Sequence, residues 1–425
     1  MNPIILIPGV MGSRLLMPAS LDWDPDDTAL MLQWTSADLR KKRESLAVSL
    51  RPIANAFNSF GSNSAFSIGN NAFLQEVARS KLLPVERLYL DRGWASVSWN
   101  FYGGILQFLE MSLNFATPLL TIVDRPVYAF GYDWRLSNQD TATKLSQFID
   151  NVLAQNTGAS QVVLVTHSMG GLVARAACLN SSVTSKIKGV VHTVLPSNGS
   201  VTAYRRFLTG CMSPFDHGPS NPLLPQRVTD TLFQNLMGAT KEEYATLMSA
   251  LPGPMELLPN HRYQLTALNP WLVGDPQPDL SKIYDVYRGP FVPGIISDSI
   301  LIFLSSLGSG LDGALVTAAL RSQIDAAQAF HEKLGDSAHP NTFVLFSTGL
   351  TSDESVDVRQ QRVDVHQQAA GDGTVHEISA KCPGIRPEFV KGIVQFQGLE
   401  HSAVFADAAF NLAVVTFVNR ILAGV

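Results

Sequence analysis

The chain has 425 residues, of which 46% are hydrophobic and only 16% charged, and its net charge is −5. A sequence this apolar and this sparsely charged can bury a large core, which excludes a disordered or solvating chain. The acidic balance offers no basic footprint for nucleic acid.

Three cysteines (Cys178, Cys211 and Cys382) allow at most one disulfide and show no C-x-x-C spacing, so neither a disulfide framework nor a metal site is expected. The apolar stretch Ile295–Leu307 is interrupted by Asp298 and falls short of the roughly 18 to 20 residues that span a bilayer. The N-terminus reaches Pro8-Gly9 too quickly for a signal peptide and lacks a basic leader region. The expectation is a soluble, cytoplasmic globular protein.

Taken in chain order, Ile4–Ile7 is a β-branched apolar run ended by Pro8-Gly9, the pattern of a central strand buried on both faces. Residues from about 18 to 95 read as a surface excursion, with an Asn/Ser/Gly-rich stretch from Ala54 to Phe73 that has no clear period. Trp99–Asn114 shows the 3–4 spacing of an amphipathic helix. Pro126–Phe130 is a second strand, and Lys144–Ala154 a second helix. Gln161–Val165 is a third strand, followed at once by a helix at Gly170–Leu179, and Lys188–Leu195 is a fourth strand. This alternation argues for a mostly parallel sheet with crossover helices. From Val201 to Leu334 the pattern is helical, broken by proline-rich turns. Strands return at Thr342–Ser347 and Gly392–Phe396, and a last helix covers about 403 to 422. The simplest organisation is one core, 1–200 and 335–425, interrupted by a mostly helical cap at 201–334.

The sharpest chemical feature lies in Val162–Arg175, where a buried strand runs into Ser168 and directly on into a helix. Such an elbow presents a serine hydroxyl at the carboxyl edge of an α/β-hydrolase sheet. The blander reading is a helix N-terminus capped by Ser168. Gly170 supplies the small residue after the serine, while Thr166 stands where the usual first glycine would be. A serine needs a base held in one tautomer by a carboxylate, and the order serine, acid, histidine is met by Ser168, Asp372 and His401. Asp372 lies between two glycines, and His401 follows the last strand. His167 and His376 are competing histidines. The oxyanion needs amide donors: one at Met169 after the nucleophile, the other on the turn Pro8–Ser13 after the first strand.

Ile4–Leu15, Gly131-Tyr132-Asp133-Trp134-Arg135, Thr166–Gly171 and Gly371–Val375, in this order, make the chain similar to the lecithin:cholesterol acyltransferase-like family of α/β-hydrolases, in the style of a bacterial-type lipase or esterase. Leu257-Leu258-Pro259 and Phe330-His331 are smaller echoes. The resemblance implies the α/β-hydrolase fold with an inserted helical lid and an apolar acyl pocket. It also implies nucleophile Ser168, acid Asp372, base His401 and oxyanion amides from Met11 and Met169. Animal secreted members carry a leader and disulfides that are lacking here, so sterol transfer and lipoprotein partners are not implied.

Asp133 and Arg135 are expected to pair structurally, with Tyr132 and Trp134 as packing. The expected activity is serine esterase or lipase chemistry on an ester or lipid substrate, without cofactor, and the apolar insertion would allow transient contact with a lipid surface. The alternatives are acyl transfer to an alcohol and, more remotely, a non-catalytic binding protein on the same scaffold.

Overall fold

In the computed structural model, which describes residues 2–15, 17, 21–47, 86–114, 125–211, 226–265, 269–290, 293–308, 310–359 and 362–424, β1 is Ile4–Ile7 with every side chain buried. Its residues serve two cores alternately. Ile5 and Ile7 share one cluster with Leu145, Ile149 and Leu172, and Ile4 and Leu6 share the other with Ile105, Leu109 and Val414. A strand with a core on each face must be apolar at every position, which explains its continuous pattern. Each such side chain contributes roughly 1.5–3 kcal/mol by burial.

The remaining strands are β2 (Val127–Ala129), β3 (Val162–His167), β4 (Ile187–Thr193), β5 (Leu272–Val273), β6 (Thr342–Thr348), β7 (Leu350–Asp357), β8 (Asp364–Gly371) and β9 (Val390–Gln397). Six of them form one sheet in the order β2-β1-β3-β4-β6-β9 with every neighbouring pair parallel. The helices Asn138–Gln155 and Gly170–Ala177 cover one face. Trp99–Asn114 and Ala408–Ala423 cover the other. Local chemistry starts these helices. Ser137 and Asp407 accept amides from the first turns of theirs. Asp26 reaches across from far earlier in the chain to accept Trp99 N at 2.6 Å and Asn100 N at 3.1 Å. Among the described residues, no helix is long and apolar enough to cross a membrane, and no disulfide joins the cysteines.

Two expectations need correction. The described part of the early excursion is more than surface. Thr28–Ser36 and Leu39–Leu46 are helices, and Trp23, Trp34 and Leu46 are buried in the main core. Trp23 packs edge-on against both Trp34 and Trp134. Ala54–Phe73 lies outside the described residues. The second correction is a small sheet, β5-β7-β8, absent from the sequence reading. β7 and β8 are an antiparallel hairpin of largely polar composition (LTSDESVD and DVHQQAAG). With little apolar alternation to betray it, this ribbon is invisible to pattern reading.

Residues 201–334 lie between β4 and β6 in the chain, although those two strands are neighbours in the sheet. Their joint with the core carries a buried acid. Glu256 accepts Asn138 N at 2.8 Å and Asn138 Nδ2 at 2.6 Å, and burial pushes its carboxyl up to about 8 from 4.5. The folded chain therefore holds a proton that the unfolded chain releases. That stability is fully present below about pH 4.5 and is lost as pH rises through about 8. Glu256→Gln should match the wild-type melting temperature near about pH 5 and exceed it progressively above that, its unfolding free energy being larger by a few kcal/mol at about pH 9. Parallel melting curves against pH for the two proteins would refute this account of the joint.

Candidate active site

β3 ends at His167, and Ser168 follows with φ at +51° before the helix starts at Gly170. Ser168 thus stands at the strained turn itself rather than capping the helix. Gly170 is required here, because a Cβ would lie 2.4 Å from the Pro8 carbonyl oxygen and 2.7 Å from that of Ile7. Thr166, the departure from glycine, is accommodated by a partner. Its hydroxyl shares a 2.8 Å hydrogen bond with Nδ1 of His192, the residue paired with it on β4. Met11, Ser168 and Val194 are non-glycine residues at positive φ, each just past the end of one of three adjacent strands. Strain of this kind costs on the order of 1–3 kcal/mol per residue and gathers at functional sites.

The fold brings the three distant candidates together. His401 Nε2 lies 2.8 Å from Ser168 Oγ, and His401 Nδ1 lies 2.7 Å from Asp372 Oδ2. The other carboxylate oxygen, Oδ1, accepts the amides of Thr374 at 3.0 Å and Val375 at 2.7 Å. His401 N donates to the Asp372 carbonyl at 2.9 Å, which fixes the backbone beneath the imidazole. All three side chains are buried. Burial alone would push the His401 imidazole down. The Asp372 carboxylate, by its charge and its hydrogen bond, and Glu400 beside it outweigh burial, so His401 holds its proton to a higher pH than an ordinary histidine.

The competing histidines lie elsewhere. His376 caps the short helix Glu377–Ala380 through Nδ1 and does not reach Ser168. His167 points across the elbow, with Nε2 at 2.9 Å from the His401 carbonyl oxygen and Nδ1 at 3.1 Å from Tyr102 Oη.

The turn after β1 is pressed against Ser168, for a Cβ on Gly9 would sit 3.0 Å from the Ser168 Cβ. On this turn Gly9 N–H is taken by Tyr102 Oη and Gly12 N–H by the Gly9 carbonyl. Among the described residues, the amides of Val10, Met11 and Met169 donate to no protein acceptor. Met11 and Met169 were the expected donors. Val10 is equally available, and its place with Met11 between Gly9 and Gly12 was the signal for it.

Asp133 and Arg135 form a buried two-pronged pair, with Nε to Oδ1 and Nη2 to Oδ2 both at 2.8 Å. Tyr132 and Trp134 are buried. Tyr132 also donates its hydroxyl to the Pro8 carbonyl at 3.0 Å, steadying the same turn. His331, from the Phe330-His331 echo, lies 2.8 Å from the Glu256 carbonyl oxygen and is part of the joint with the insertion. Among the described residues, no cluster of three or more ligand-type side chains could hold a metal ion.

The family model of lecithin:cholesterol acyltransferase matches residues 121–235, the stretch holding both Gly131–Arg135 and the elbow. An uncharacterized protein of Saccharomyces cerevisiae is 34% identical over 71 residues, which are 17% of this chain and 10% of that protein, so the match spans a tenth of the relative's length. Among solved structures, a chain of the Tle4–Tli4 complex superposes with a TM-score of 0.67 at 19% identity, covering 99% of this chain and 98% of that one. This likeness takes in the insertion as well as the sheet and concerns the fold. A mature lipase of Bacillus licheniformis, BlEst2, gives a TM-score of 0.27 at 13% identity, over 67% of this chain and 74% of that one. With its parallel sheet, its elbow and the full-length likeness to the Tle4–Tli4 chain, this chain has the α/β-hydrolase fold, and its residues 121–235 are similar to the lecithin:cholesterol acyltransferase family.

Proposed function

We propose that this chain is a serine hydrolase that cleaves carboxylic esters bearing apolar, lipid-like acyl groups. The observation that carries the reading is the unbroken chain Asp372 Oδ2, His401 Nδ1, His401 Nε2 and Ser168 Oγ, with links of 2.7 and 2.8 Å. His401 removes the hydroxyl proton as Ser168 attacks the ester carbonyl. Asp372 orients the ring and stabilises the imidazolium that forms. The Met169 amide, with that of Met11 or its neighbour Val10, receives the oxyanion. His401 then returns the proton to the departing alcohol, and water releases the acyl group by the reverse sequence.

The insertion supports an apolar acyl substrate. Gly253 N donates to the Arg135 carbonyl, Ser200 N to that of Leu257 and Asn260 N to that of Asn198. Residues 252–260 therefore sit on the loops after β2 and β4, at the sheet edge that carries Ser168. In this reading 201–334 is a lid over the site, and its apolar residues meet the acyl chain or a lipid surface.

A second reading, acyl transfer to an alcohol, is favoured by the family match and by the burial of Ser168, which limits water. Supplying an alcohol acceptor during ester turnover and measuring the partition between new ester and free acid separates the two.

The test of the shared mechanism is covalent labelling with a fluorophosphonate, located by peptide mass, together with kcat/KM over esters of increasing acyl length. Label on any residue but Ser168 would sink the proposal. The pH profile gives a further expectation. Only neutral His401 can accept the proton, so kcat/KM should fall on the acid side with a midpoint above the ordinary histidine value of 6.5. Glu400→Gln removes one of the charges that hold the proton on, and should move that midpoint down. An acid limb that stays in place in Glu400→Gln would contradict this account.

A further inference from the structure

His167 and Tyr102 are buried side chains that the mechanism above does not use. They form one continuous chain of hydrogen bonds. Gly9 N lies 2.9 Å from Tyr102 Oη, Tyr102 Oη 3.1 Å from His167 Nδ1, and His167 Nε2 2.9 Å from the His401 carbonyl oxygen. The direction of every bond is fixed by chemistry. A carbonyl only accepts, so His167 carries its proton on Nε2. Burial, reinforced by the nearby His401, pushes the His167 imidazole down to about 3, so the ring is neutral and Nδ1 is bare. Nδ1 therefore accepts the Tyr102 hydroxyl proton, and the tyrosine oxygen accepts the Gly9 amide. Burial also raises the Tyr102 hydroxyl, which keeps its proton. One pattern of protons satisfies every group.

The two ends of this chain are the two places where the reaction needs accuracy. Gly9 precedes the Val10 and Met11 amides on a turn pressed against Ser168. At the other end, the His401 backbone is pinned twice, its N–H by the Asp372 carbonyl and its carbonyl by His167. Phe405 packs against both intervening rings, 5.4 Å from His167 and 6.1 Å from Tyr102 between centroids. Neutrality matters too, because a charged His167 ring 5.3 Å from the His401 ring would oppose the imidazolium that forms during attack.

We infer that Tyr102 and His167 are positioning residues, a brace that ties the oxyanion turn to the loop carrying the base so that both hold station around Ser168 in the transition state. The inference rests on the serine-hydrolase reading above. Neither residue is assigned a place in the acyl site, so the brace should act on kcat and leave KM alone. Misplacement of reacting groups by an ångström costs about 100-fold in rate.

The test compares wild type, Tyr102→Phe, His167→Leu and His167→Gln, with kcat and KM on a soluble p-nitrophenyl butyrate, the rate and stoichiometry of fluorophosphonate labelling, and melting temperature. Tyr102→Phe and His167→Leu should lower kcat and the labelling rate by about 10- to 100-fold while labelling stays at one per chain and KM moves within about two-fold. His167→Gln, whose amide N–H can still donate to the His401 carbonyl, should recover most of what His167→Leu loses. The double variant Tyr102→Phe/His167→Leu should be little worse than the poorer single one, because the two act through one chain. If wild type labels at Ser168 and the variants lose melting temperature without losing kcat, or raise KM alone, the brace is structural and the inference fails. If wild type does not label at Ser168, the serine-hydrolase reading falls first and the brace with it.

Discussion

Ser168→Ala should give a folded protein whose ester turnover is lower by up to about a million-fold, the scale seen when one member of a cooperating triad is removed. The change deletes one oxygen, whose protein partner is His401 Nε2. Alanine keeps the Cβ, so the backbone strain at φ +51° is unchanged and stability should move by no more than about 0.5–1 kcal/mol. His401→Ala should lose nearly as much activity. The double variant should lose little more than either single one, because the proton transfer and the nucleophilic attack are a single event. Losses that multiply would mean that Ser168 and His401 serve different steps, whatever the 2.8 Å between them suggests. Substantial turnover by pure Ser168→Ala protein would remove serine chemistry from consideration altogether.

The sheet was readable in the sequence wherever burial on two faces forced continuous apolar runs. β1 and β3 have no exposed residue, and their boundaries fall within two residues of the apolar pattern. Helices with one apolar stripe, such as Trp99–Asn114, were equally legible. The elbow was legible because a strand, a serine and a small residue must follow one another without a gap. The polar hairpin β7–β8 was not. It is held by ladder hydrogen bonds, by pairing of β7 with β5, and by the buried Arg205–Asp353 ion pair at 2.7 Å, none of which leaves a periodic trace. Asp372 was found from its glycine neighbours, yet the scaffold that delivers it, the end of β8, was not. The Tyr102–His167 connection was beyond reach for another reason. It joins four segments, at Gly9, Tyr102, His167 and His401, that only the fold brings together. Trp23 makes the same point, since it packs against Trp134, far along the chain, as well as against Trp34.

Asp372→Asn should lower kcat by about ten-thousand-fold, less than Ser168→Ala, with little change in fold. The reason lies in how the carboxylate is held. Oδ1 accepts two backbone amides, Thr374 N at 3.0 Å and Val375 N at 2.7 Å, while Oδ2 faces His401 Nδ1. An asparagine must keep its carbonyl oxygen toward those two amides, because turning its NH₂ group there would set donor against donor in a buried site. Its NH₂ is thereby directed at His401 Nδ1, which becomes the acceptor. The imidazole proton then moves to Nε2, the atom that must be bare to take the proton from Ser168. The ring stays in position but in the wrong tautomer. Loss of the carboxylate charge should also move the acid limb of the residual activity to lower pH, since Asp372 is the main group opposing burial at His401. Nitrogen chemical shifts of His401 in the variant would read the tautomer directly, with Nε2 protonated as the expected result. An Asp372→Asn protein within about ten-fold of wild-type kcat, or one whose His401 keeps its proton on Nδ1, would show that this carboxylate does not set the state of the base.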